Sequence, residues 1–165
     1  MPGQDSSAQE RVTLPTISNV RAVTLWFYPL PLAQQAPPQW DYILDARTAL
    51  TDGHIGYYDR STAEARKGNG WPIVRIHDFS TSPPTAIDWT ASSLTLPMGR
   101  WYHFYAEASA AFTGPLSLFS RHNGVEDLHA RLASVAVWGR ALTSSELDAL
   151  AAGGDGPADV GAAVL

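Results

Sequence analysis

Residues 131–153 read RLASVAVWGRALTSSELDALAAG, and the way this stretch divides decides the fold. Its first half, through Trp138, is rich in small, β-branched and aromatic residues and carries no helical period, so it reads as a strand. Thr143 opens the second half. Its hydroxyl can accept from the amide of Glu146 while the Glu146 carboxylate reaches back to the cap, which makes TSSE a capping box. Leu142 before the cap and Leu147 after it form a hydrophobic staple. Leu147, Leu150 and Ala151 share one face, and Gly153 supplies the left-handed conformation that stops the helix. The chain should therefore close its sheet with one strand and one short helix docked by a single side.

Working outward, alternation places Leu128, Ala130, Leu132, Ala136 and Trp138 opposite His129, Arg131, Ala133, Val135 and Val137. This strand is expected to start half exposed, to end covered on both sides and to cross the middle of a sheet. In 101–108, Tyr102, Phe104, Ala106 and Ala108 take one face, the drier one, and Trp101, His103, Tyr105 and Glu107 take the other. Further strand runs are expected at 11–14, 20–28, 40–46, 54–59, 73–79, 93–96, 116–121 and 129–138, punctuated by 12 prolines and 13 glycines. No helical period precedes Thr143. About nine or more strands with one late helix imply an all-β protein, two antiparallel sheets packed face to face.

The bounds agree with one domain. The chain has 165 residues, 45% of them hydrophobic and 16% charged, which is a globular composition. A net charge of -5 without clustered Lys or Arg argues against nucleic acid and against anionic membrane as partners. Cysteine is absent, so no disulfide framework and no thiolate metal site are available. The opening MPGQDSSAQER has no apolar run or basic leader, so no signal peptide is expected, and no run of about 18 apolar residues occurs. Residues 1–10 and 153–165 are polar or Gly- and Ala-rich and read as arms around a domain at 11–152. Arms of this kind are expected to be held by a neighbouring chain in a homo-oligomer.

The segments GRWYHFYAEAS at 99–109, LSLFSR at 116–121, expected to end a hairpin, and LHARLASVAVWGRALTSSELDAL at 128–150 carry a resemblance. They resemble the laminin-G-like, or concanavalin A-like, lectin jelly roll, with Arg140-Ala141-Leu142-Thr143 and Glu146-Leu147 matching its closing segment. VRAVTLWFYPL at 20–30 and DYILDART at 41–48 sit where that family has its early strand pair. The resemblance covers residues 12–152 and implies a two-sheet jelly-roll sandwich. Its members include sugar-binding modules, adhesion domains, calcium-dependent binders, glycoside hydrolases and virion modules, so it does not select a function.

Catalytic patterns are weak. Glycoside hydrolysis needs two facing carboxylates, and the glutamates Glu10, Glu64, Glu107, Glu126 and Glu146 are scattered, with Glu107 expected to be a solvated strand residue. Ser120, His122 and Asp127 lie near one hairpin, but without a nucleophile elbow they read as a polar turn at 121–124. No enzyme is expected. The close pairs His77-Asp78, Asp127/His129 and Asp41/Asp45 do not make a metal site, the last because two aspartates on one strand face would lie about 13 Å apart. No cofactor is expected, and calcium enters only through the resemblance.

Glycan binding needs aromatic faces beside polar side chains, and Tyr57, Tyr58 and Trp71 beside the loop AEARKGNG, with Trp89, are the candidates. Trp26, Trp101 and Trp138 are assigned to packing. The expected function is a non-catalytic structural and adhesive surface module of a virus or phage particle, a capsid decoration, cement or fibre part. It would be made in the cytoplasm, assembled through its arms and able to touch host glycans. A stand-alone lectin comes second and a glycoside hydrolase third.

Overall fold

The computed structural model describes residues 12–31, 40–59, 61–121 and 128–153. They form strands β1 (Val12–Pro29), β2 (Asp41–Asp45), β3 (His54–Asp59), β4 (Glu64–Lys67), β5 (Ile73–Asp78), β6 (Thr85–Asp88), β7 (Ser93–Thr95), β8 (Tyr102–Leu118) and β9 (Ala130–Trp138), then helix α1 (Ser144–Ala152). Every pairing is antiparallel and the strands belong to one nine-stranded sheet. The all-β expectation holds, with the single helix where the capping box put it.

The sheet curls because its two longest strands change register together. β1 and β8 pair from Val12↔Leu118 to Val20↔Phe112 and again from Ala22↔Glu107 to Phe27↔Tyr102, with register shifts between Leu14 and Ala22. Asn19, a residue type that tolerates the left-handed region, sits in this zone at φ 56 and donates its amide to Thr113 Oγ1. Extra residues of this kind bend a strand and increase its twist. Beyond the bend, β8 pairs with β5, and β5 with β6, while β1 passes to β9. Before it, β8 pairs with β2, and the order continues through β3, β4 and β7.

The largest core cluster gathers side chains from both stretches: Val23, Leu25 and Phe27 of β1, Phe104, Ala106 and Leu116 of β8, Ile43, Leu44 and Ile55 of β2 and β3. A smaller cluster lies under α1, where Leu142, Leu147 and Leu150 meet Ala22, Tyr105, Ala136 and Trp138.

Several expectations are corrected. Runs 11–14 and 20–28 belong to one strand as far as they are described, and 102–108 and 116–118 both lie in β8, so no hairpin precedes LSLFSR. β4 and β6 were not expected; EARK and TAID are short and carry few β-formers. β9 does not cross the middle of the sheet, since among the described residues it pairs only with β1. Its alternation also breaks: Trp26 pairs with Ser134 and Phe27 with Leu132, leaving Ala133 as the extra residue. Leu132, Val135 and Val137 therefore pack on the main core while Ala136 and Trp138 face α1.

The second face of 101–108 is not wetter, because His103, Tyr105 and Glu107 are all buried. The arms at 1–10 and 154–165 lie outside the described residues, while Gly153 itself caps α1 at φ 71. Among the described residues no helix is long and apolar enough to cross a membrane.

Candidate functional site

The aromatic residues expected to meet a glycan part company. Tyr57, Trp71 and Trp89 lie in the main core, the first two with no exposed surface and Trp89 at 2%. Trp71 is drawn inward by the turn before it: Trp71 donates its amide to Gly68, Gly70 to Asp52, and Ser109 of β8 to Gly70. The indole then stands edge-on to Phe112 at 6.0 Å. Burial raises the Tyr57 hydroxyl well above its ordinary pKa, and that hydroxyl has no hydrogen-bond partner among the described residues. Rings enclosed in this way have no face to offer a sugar. Tyr58, on the other side of β3, is half-buried and remains at the surface.

Around Tyr58 the structure assembles a group that the sequence reading missed. Antiparallel pairing sets Tyr42 of β2 opposite Gly56 of β3. Residues two positions away on each strand share that face, so Trp40 and Tyr42 approach His54 and Tyr58. The rings of Trp40 and Tyr42 are nearly parallel at 5.7 Å, and Trp40 meets His54 edge-on at 5.1 Å and Tyr58 at 5.4 Å. At the centre Gly56 is flanked by Tyr42 on one side and Arg66 of β4 on the other. A Cβ there would lie 2.6 Å from the Asp41 carbonyl oxygen, so β2 approaches too closely for any other residue.

Two arginines complete the surface. The Arg47 guanidinium lies 4.5 Å from the Tyr42 ring centre and binds Asp45 through Nε at 3.0 Å and Nη2 at 2.9 Å. The Arg66 guanidinium lies 3.6 Å from the Tyr58 ring centre and donates from Nε to Glu64 at 2.7 Å. Cations over ring faces hold both in place. His54 is 3.2 Å from Asp52, and its pKa is lowered, burial outweighing the pull of Asp52 in the other direction. Aromatic rings bordered by fixed donors and acceptors can bind a polyhydroxylated ligand through its C–H faces and hydroxyls.

The residues that could carry chemistry are otherwise engaged. Glu107, expected at the solvated surface, is 7% exposed; it accepts from Arg21 at 2.6 Å and from the Tyr105 hydroxyl at 2.9 Å. The Tyr105 hydroxyl also accepts the Leu142 amide, so the closing segment reaches this side of β8. Ser120 is buried and donates to the Arg121 carbonyl, while His122 and Asp127 lie outside the described residues.

Asp41 and Asp45 do not share a face, since the register shift between Tyr42 and Leu44 pairs Asp41 with the core residue Tyr57 and Asp45 with His54. His77 contacts Asp148 of α1 at 3.1 Å and His103 at 3.5 Å, whereas Asp78 holds Arg100. Among the described residues no group of three or more His, Cys, Asp or Glu could hold a metal ion.

The strand runs 40–46 and 54–59 are both recognisable in the sequence, and W-x-Y beside H-x-G-x-Y is the signal of a shared aromatic face. Only the pairing of β2 with β3 brings these residues together. No protein-family model, curated protein or solved structure matches this chain.

Proposed function

We propose that this chain is a non-catalytic adhesive module that binds a glycan through the half-buried rings of Trp40, His54 and Tyr58, which the buried Tyr42 supports from beneath. One observation carries the reading: four rings from two adjacent strands converge on one sheet face, and two guanidiniums lie over them. A purely structural sheet face has no need of half-buried Trp40 and Tyr58 beside oriented donor and acceptor groups. The engagement of Glu107 with Arg21 and Tyr105 supports a binding role rather than hydrolysis.

The fold that suits this role is a two-layer jelly roll of the laminin-G-like kind, doubled about the register shifts of β1 and β8. That architecture would put the Trp40 surface on the outside of one layer and α1 on the outside of the other. Residues 1–10 and 154–165 would then tether the module to a larger particle, such as a virion.

The test is an array of immobilised glycans probed with the native chain and with Trp40→Ala and Tyr58→Ala. The proposal expects binding by the native chain and its loss in both variants, with the thermal transition of Tyr58→Ala retained. Binding that survives both substitutions would place the ligand elsewhere.

A further inference from the structure

We propose that the ligand of this surface is an uncharged sugar, read through a pair of neighbouring hydroxyls by Glu64 and Arg66. The inference rests on the glycan reading above and names the chemistry of that ligand.

Glu64 and Arg66 lie two residues apart on β4, and only the Arg66 Nε and the Glu64 Oε1 bond to each other. Their side chains are 32% and 40% exposed, so both still reach solvent. Among the described residues the two outer nitrogens of Arg66 and the second oxygen of Glu64 have no partner. Arg66 is fixed from below by Tyr58 and from the side by Glu64, so the pair presents donors and an acceptor in one set geometry.

A carboxylate on the ligand would use only the donors and would meet the charge of Glu64 at contact distance. Two adjacent hydroxyls each donate and accept, so they can satisfy both partners at once. The rest of the surface supports the same choice. Arg47 is occupied by Asp45 in a two-point pair, and the remaining ionised group near His54 is the carboxylate of Asp52, 40% exposed. No unneutralised cation faces the rings among these described residues, so an acidic sugar would find no counter-charge. The apolar face of a neutral pyranose can lie on Trp40 and Tyr58 while its edge hydroxyls reach β4.

Calorimetric titration of the full chain decides this, with cellohexaose, maltohexaose and lactose as neutral probes and hexagalacturonate and sialyllactose as acidic ones. At least one neutral probe should bind and both acidic ones should not. Glu64→Gln should weaken the neutral ligand by about tenfold, since a charged acceptor becomes a neutral amide. An unchanged thermal transition will show that this exposed substitution leaves the fold intact.

Tighter binding of an acidic probe, or a neutral affinity untouched by Glu64→Gln, overturns the inference while leaving the glycan reading standing. Binding of none of the five overturns both.

Discussion

The Tyr105 hydroxyl accepts the backbone N–H of Leu142 at 3.2 Å, so the middle of β8 is tied to the residue just before the helix cap. The same hydroxyl donates to Glu107, which in turn holds Arg21 of β1. One side chain therefore serves the closing segment, β8 and β1 together. Tyr105→Phe keeps the ring but leaves the Leu142 amide and one Glu107 oxygen without this partner. It should destabilise the fold by about 1–3 kcal/mol in a urea melt, the usual cost of unmade buried hydrogen bonds.

The helix cap gives a smaller effect. Thr143 accepts from the Glu146 amide at 3.3 Å, and Glu146 accepts from the Thr143 amide at 2.7 Å and from Arg140. Thr143→Ala should cost about 1 kcal/mol. Leu147→Ala, which opens the cluster beneath α1, should cost about 2–4 kcal/mol. Equilibrium unfolding of both variants should rank them in that order.

Acid should weaken the protein in two stages. His103 is held down to about 3, by burial first and by neighbouring His77 second. Below pH 6.5 the unfolded chain takes up a proton that the folded chain refuses, so stability is full above 6.5 and falls towards pH 3. The slope for this one group approaches about 1.4 kcal/mol per pH unit. His54, also lowered by burial, adds in the same direction.

Glu146, held down to about 2 by Arg140 and the cap, stabilises above pH 4.5 and is lost only below it. Stability measured against pH should therefore already decline between 6.5 and 4.5, and His103→Gln should flatten that part of the curve. A native profile flat to pH 4.5 would contradict the assignment.

What was legible in the sequence was local. The capping box, the staple and Gly153 are set by neighbours within a few residues, and they stand as read. Strand runs were also visible where β-branched and aromatic residues cluster. Features set by distant partners were not. A bulge adds one residue without a composition signal, and one residue reverses every face beyond it.

That is why Asp41 and Asp45 were assigned to one face, why Leu132 was grouped with Trp138, and why β1 and β8 each looked like two strands. The site failed for a related reason. Trp71, between Gly-Asn-Gly and Pro72, has the sequence of an exposed loop, yet hydrogen bonds to Asp52 and Ser109 pull its turn onto the core. Trp40 and Tyr58 become neighbours only once β2 and β3 pair.

Assembly through the terminal segments is a separate expectation. The full-length chain should have the mass of a homo-oligomer in solution, and a chain trimmed to residues 10–153 should be monomeric. Equal, monomeric masses would remove the tethering role from residues 1–10 and 154–165.

The most direct test of the account is to follow the indole of Trp40 and the ring of Tyr58 by NMR while a neutral oligosaccharide is titrated into the full chain. The account predicts saturable shifts confined to Trp40, Tyr42, His54, Tyr58, Glu64 and Arg66. Shifts centred on Trp71 and Trp89, or none at any residue of β2, β3 and β4, would contradict it.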